Sequence, residues 1–186
     1  MFFICNKRSA INKISASVRH KILNFSCSKN RCFLLKITPR FPAFFETAFM
    51  IRSETKIRVR YGETDQMGYA YYGVYAQYYE VGRVETMRLL GFSYKDIEER
   101  GILMPVVDFF INYKRPAFYD DEITVITTLR EKPPGVKIPF EYECRNAAGD
   151  LLNVGKVTLV CVDKATNKMC RLPDWFEQAM DPFFAR

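Results

Sequence analysis

Residues 61–92 read YGETDQMGYAYYGVYAQYYEVGRVETMRLLGF. Two glycines, Gly62 and Gly68, bracket a turn that carries one aspartate, Asp65. Six tyrosines then fall between Tyr69 and Tyr79. From Gly73 to Leu90 there is no proline, and the length predicts a helix of about five turns at ~3.6 residues each. Gly91 follows, as glycine commonly does where a helix stops. Val74, Tyr75, Tyr78, Tyr79, Val81, Val84, Met87, Leu89 and Leu90 spread around this helix. A helix that is apolar on more than one side must be wrapped by other structure. Gly82, in mid-helix, costs about 1 kcal/mol relative to alanine, so it predicts a close approach to that structure. Glu80 with Arg83, and Glu85 with Arg88, are spaced for ion pairs along a solvated or interfacial stripe.

The flanking sequence supplies the wrapping. In KIRVRY, Ile57, Val59 and Tyr61 alternate with Lys56, Arg58 and Arg60, the pattern of a half-exposed strand. Ser93 can cap a shorter helix through Arg100, with Asp96 in its first turn. Four strands are expected at Leu103–Arg115, Glu122–Lys132, Val136–Arg145 and Leu151–Val162. Pro116, the Pro133–Gly135 turn and Ala147–Asp150 separate them. The short linkers make the last strands antiparallel neighbours. A short helix opens at Pro173–Asp174 and closes at Met180. The order is one strand, one long helix, then strands with no second crossover helix, which predicts an α+β fold with a helix against an antiparallel sheet.

Composition removes several functions. The chain of 186 residues has a formal net charge of +7, but residues 1–49 hold nine Lys and Arg against one acidic residue, Glu46. The rest is near neutral, so a polyanion-binding body is not expected. Residues 1–49 read as a basic extension, either a targeting segment or sequence ahead of a true start at Met50. The domain proper is then 50–186. His20, the only histidine, lies in the extension. Cys144, Cys161 and Cys170 stand singly in the domain, without the spacing of a zinc site, and read as small buried hydrophobes in a reducing, cytoplasmic setting. No apolar run approaches the ~20 residues of a membrane span.

The stretch TDQMGYAYYGVYAQYYEVGRVETMRLLGFS resembles the signature of the 4-hydroxybenzoyl-CoA thioesterase family of hotdog-fold acyl-CoA thioesterases. The residues that carry the likeness are Asp65, Gly68, Tyr71, Tyr75, Tyr78–Tyr79–Glu80, Arg83, Glu85, Arg88 and Gly91. NYKRPAFYDDEITV and LLNVGKVTLVCVD resemble later strands of the same family, and the likeness spans about residues 52–180. It implies a hotdog fold, hydrolysis of an acyl-CoA thioester, no cofactor and no metal, and a homodimer or homotetramer with sites between subunits. Asp65 matches the family's carboxylate. Tyr72 matches the helix-entrance position whose backbone N–H helps form an oxyanion hole. An auxiliary histidine carried by many members is absent.

That chemistry suits these residue types. A thiol leaving group of pKa about 8.5 departs as thiolate without a strong acid. What remains is a nucleophile or base, which one carboxylate supplies, and donors for the oxyanion, which a helix start supplies. Read without the resemblance, an aspartate in this setting is more often a turn or cap residue than a catalytic one. Tyr69 and Gly68, beside Asp65, are candidate pocket residues, and the other tyrosines are read mainly as core or subunit contacts. Lys114, Arg115, Lys132 and Lys137 flank strand ends and are candidates for the phosphates of coenzyme A. A proton-transferring dehydratase of related fold would need a histidine, which the domain lacks. Two alternatives stay open: a module that binds acyl-CoA without hydrolysing it, and a thioesterase acting on acyl-carrier protein. Neither nucleic acid nor membrane is expected as a partner.

Overall fold

A computed structural model of the chain describes residues 50–184. The expectation for residues 1–49 lies outside these residues. The described chain runs β1 (Ile51–Arg58), a single 3-10 turn (Tyr61–Glu63), α1 (Val74–Leu89), α2 (Tyr94–Glu99), β2 (Ile102–Leu103) and β3 (Val106–Tyr113). It continues through β4 (Glu122–Leu129), β5 (Lys137–Arg145), β6 (Leu151–Val160), β7 (Val162–Asp163), β8 (Lys168–Met169) and α3 (Asp174–Phe184). Five strands form one antiparallel sheet in the order β1-β4-β5-β6-β3. A small sheet, β2-β7-β8, lies apart from it in the pairing.

The long helix forms where its pattern placed it, and its ends have clear causes. Gly91 adopts φ +95°, and the last carbonyls are taken by Gly91 N–H (to Arg88) and Phe92 N–H (to Met87). This is the paired closure that a left-handed glycine permits. Ser93 then caps α2 reciprocally with Asp96, at 3.2 Å and 2.7 Å.

The helix packs across β1 and β4. A Cβ on Gly82 would lie 2.5 Å from Thr127 Oγ1 and 3.0 Å from Val125 Cγ1, so the glycine marks the close approach that was expected. Further along, Tyr79 stacks on Tyr142 with centroids 4.2 Å apart, and its hydroxyl donates to Asn153 Oδ1. Tyr75, Tyr78 and Tyr79 are buried in the core with Met87, Ile123, Val125, Phe140 and Leu159. Burial pushes the thiols of Cys144 and Cys161 up to about 12, consistent with inert packing groups.

Several local expectations are corrected. The first strand begins at Ile51 and ends at Arg58, so Tyr61 is not a core residue and is 81% exposed. Arg60 N–H is taken by the Glu63 carboxylate, which turns the chain out of the sheet. The expected strand over 103–115 divides into β2 and β3 around Met104–Pro105, because proline offers no N–H to a ladder. The expected strand over 151–162 likewise divides, at Cys161. The last helix runs on past Met180 to Phe184. Glu85 and Arg88 do pair, but Arg83 turns inward instead of pairing with Glu80. Its guanidinium donates to the hydroxyls of Tyr94 (2.6 Å) and Tyr142 (3.4 Å), which satisfy it inside the core.

Candidate active site

The turn that carries Asp65 is a small hairpin. Thr64 bridges Ala70, Asp65 N–H donates to Tyr69 O at 2.9 Å, and Gly68 N–H donates to Asp65 O at 2.9 Å. Gly68 has φ +78°, a conformation that favours glycine. Asp65 Oδ1 accepts from the N–H of Met67 (2.8 Å) and of Tyr69 (3.3 Å), so one oxygen shapes the loop.

This hairpin is tied to the rest by groups that the sequence reading did not single out. Glu63 is buried, and its carboxylate accepts from Arg60 N–H, Arg60 Nε and the Tyr78 hydroxyl, each at 2.7–2.8 Å. Burial raises its pKa, but these hydrogen bonds outweigh that and hold it below the ordinary carboxylate value. Its backbone carbonyl accepts from Tyr71 N–H at 2.8 Å. The only local signal was the Arg60–Glu63 spacing. Ala70 N–H donates to Ala117 O, and Tyr69 bridges Phe118, which fixes the hairpin to the segment leading into β4.

Tyr72 lies in the turn just ahead of α1, with Gly73 at the cap position. The carbonyl of Tyr71 accepts from Val74 N–H at 3.0 Å, and that of Tyr72 accepts from the Tyr113 hydroxyl at 2.7 Å. Among the described residues, no backbone carbonyl accepts from the N–H of Tyr72 or of Gly73. Unpaired donors of this kind, at the positive end of a 16-residue helix, attract developing negative charge.

Asp65, Tyr69, Tyr72, Tyr75 and Tyr113 line one cavity of about 320 Å³, with Lys114 and Arg115 also in its wall. Gly68 shapes the adjoining turn. Arg115 is held by Asp150 at 2.9 Å in an exposed pair. Lys132 is elsewhere: its ammonium pairs with Asp181 (2.6 Å) and Glu177 (3.4 Å) of α3. Lys137 opens β5 opposite Val160 and does not line the cavity. A second cavity of about 330 Å³ lies over the ion pair between Arg130, just past the end of β4, and Glu141 of β5, and neither Asp65 nor Tyr72 lines it.

A long helix against an antiparallel sheet, with a carboxylate turn at the helix entrance, defines a hotdog-fold thioesterase. The chain belongs to the thioesterase-like superfamily, whose family model matches residues 59–180. It is 42% identical over 127 residues to the Bacillus subtilis (strain 168) protein named "Putative acyl-CoA thioesterase YneP", covering 66% of this chain and 91% of that one. It is 32% identical over 119 residues to the acyl-CoA thioesterase YbgC of Haemophilus influenzae, covering 63% and 85%. Among solved structures, it is similar to the DHNA-CoA thioesterase from Staphylococcus aureus, with 38% identity and a TM-score of 0.65, covering 70% of this chain and 89% of that one.

Proposed function

We propose that this protein hydrolyses an acyl-CoA thioester to a free acid and coenzyme A, with Asp65 as nucleophile or general base and the Tyr72 N–H as oxyanion donor. The observation that carries the reading is that Asp65 and the helix entrance at Tyr72 border one cavity. Asp65 attacks the thioester carbonyl, or takes a proton from an attacking water, through Oδ2, since the loop hydrogen bonds fall on Oδ1. Negative charge gathers on the carbonyl oxygen and is met by backbone N–H. The carbon–sulfur bond then breaks, and the sulfur leaves as thiolate; where Asp65 attacked directly, water then hydrolyses the acyl–aspartyl anhydride, releasing the acid and restoring the carboxylate.

Four tyrosine rings in the cavity wall, those of residues 69, 72, 75 and 113, suit a flat aromatic acyl group better than a long flexible chain. The Staphylococcus aureus relative, whose name gives an aromatic acyl-CoA substrate, agrees with that preference. Lys114 and Arg115 supply positive charge for the phosphates of coenzyme A. The working unit is a homodimer built through β3, an edge strand that exposes Val106, Val107, Phe109 and Phe110.

A second reading has its own support. Asp65 Oδ1 closes an Asx-type turn, which is what a purely structural aspartate does, in a module that binds acyl-CoA without cleaving it. Asp65→Asn separates the two. The amide can still close the turn but neither attacks nor takes a proton. The hydrolytic reading expects turnover to fall by ~10²–10⁴ while a non-hydrolysable acyl-CoA analogue still binds. Turnover retained within about threefold would return Asp65 to architecture.

A further inference from the structure

Two N–H groups at the entrance of α1 have no backbone carbonyl accepting from them among the described residues, and each belongs to a peptide unit whose oxygen is held. The Tyr71–Tyr72 unit carries the Tyr72 N–H, and its oxygen accepts from Val74 N–H at 3.0 Å. The Tyr72–Gly73 unit carries the Gly73 N–H, and its oxygen accepts from the Tyr113 hydroxyl at 2.7 Å. All peptide units among the described residues are trans, so N–H and C=O point in opposite directions and holding the oxygen aims the hydrogen. The first restraint is local and comes with the turn. The second arrives from β3, 41 residues further along the chain.

Tyr113 is itself well held. It ends β3 opposite Asn153 of β6, which fixes its backbone in the sheet. Its ring meets that of Tyr75 edge-on, with centroids 5.5 Å apart, and both rings line the cavity beside Asp65. A strand end of the sheet therefore reaches the helix entrance through one hydroxyl.

We propose that Tyr113 is a positioning residue for oxyanion stabilisation: its hydroxyl fixes the Tyr72–Gly73 peptide unit, so that the Gly73 N–H is aimed, beside the locally held Tyr72 N–H, before the substrate arrives. This inference rests on the reading of the helix entrance as the oxyanion site. Donors that are already oriented need no reorganisation as charge develops, and that is where their effect on rate comes from. Without the hydroxyl, the Tyr72–Gly73 unit is free to rotate about its flanking bonds, while the aromatic packing of residue 113 persists in phenylalanine.

The test compares wild type, Tyr113→Phe and Asp65→Asn on benzoyl-CoA. For Tyr113→Phe, kcat falls about tenfold, a fraction of the ~10²–10³ lost with a whole oxyanion donor. KM stays within about twofold, and the melting temperature within about 4 °C. A second readout is the carbonyl stretching frequency of benzoyl-CoA bound to Asp65→Asn, measured by Raman difference. Hydrogen bonds to the carbonyl lower it, and adding Tyr113→Phe moves it back toward the value of the free ligand. A kcat within about twofold of wild type, an unmoved carbonyl frequency, or a loss of activity that only tracks a loss of folding overturns the inference. If Asp65→Asn is inactive and Tyr113→Phe is not impaired, this inference alone fails. If Asp65→Asn keeps full turnover, or wild type does not turn over benzoyl-CoA at all, the site reading beneath it fails as well.

Discussion

The hydroxyl of Tyr78, in α1, donates to the buried carboxylate of Glu63 at 2.8 Å, and so locks the Asp65 hairpin to the helix. The folded-state pKa of Glu63 is depressed, so its contribution to stability is present above the ordinary value of 4.5 and is lost as pH falls through the folded-state value. Glu63→Gln is expected to destabilise the domain by about 1–3 kcal/mol near neutral pH, because it leaves good donors short of a charged acceptor. It should also flatten the acid limb of a melting curve taken from about pH 6 to about pH 3. Parallel acid limbs for the two proteins would show that Glu63 does not carry this dependence.

Two glycines should resist a methyl group for steric reasons. Gly82→Ala gains about 1 kcal/mol in helix propensity. The added Cβ nevertheless meets Thr127 and Val125 in the sheet, and a net loss of about 1–2 kcal/mol is expected. At Gly155, a Cβ would lie 2.4 Å from the ring of Tyr79, which is fully buried and stacked on Tyr142, so the cost there should be larger. Urea unfolding of both variants gives the comparison. A Gly155→Ala protein as stable as wild type would mean that Tyr79 can move off the strand.

Lys114→Ala and Arg115→Ala should each raise KM for acyl-CoA by about 5–20-fold with kcat little changed, the mark of binding energy lost equally from ground and transition states. The effect should shrink at high salt, since exposed charges are screened. Breaking the Arg115–Asp150 pair should cost under about 1 kcal/mol of stability because the pair is exposed. Unchanged KM in both variants would separate these side chains from the phosphates.

Val107→Lys together with Phe110→Lys should convert a dimer to monomer. Both side chains are exposed on β3, whose outer edge has no partner strand among the described residues. Two copies meeting there would bring like charges close to a two-fold axis. Sedimentation velocity at micromolar concentration reads the result. A wild-type protein that is already monomeric would count against the β3 interface from the outset.

The parts of this protein that the sequence alone determined are those set by backbone geometry within a few residues. The run from Val74 to Leu89 is helical because nothing interrupts it and Gly91 closes it, and Ser93 with Asp96 starts the next helix within one turn. Gly82 announced a close approach because a glycine in mid-helix needs a reason, and the Gly68 turn placed Asp65 ahead of the helix. Tertiary structure decided what depends on partners far along the chain. β3 lies beside β6 at the far edge of the sheet, not beside β4, which follows it in sequence, and this brings Tyr113 to Tyr72. Arg83 found phenol oxygens in α2 and β5 in place of the carboxylate one turn away, and Lys132 went to the acidic face of α3. Glu63 became the buried anchor of the hairpin only because Tyr78 faces it. Each depends on which surfaces the sheet order brings together. A local window of sequence holds periodicity and turn chemistry, but not the pairing that chooses a side chain's neighbour.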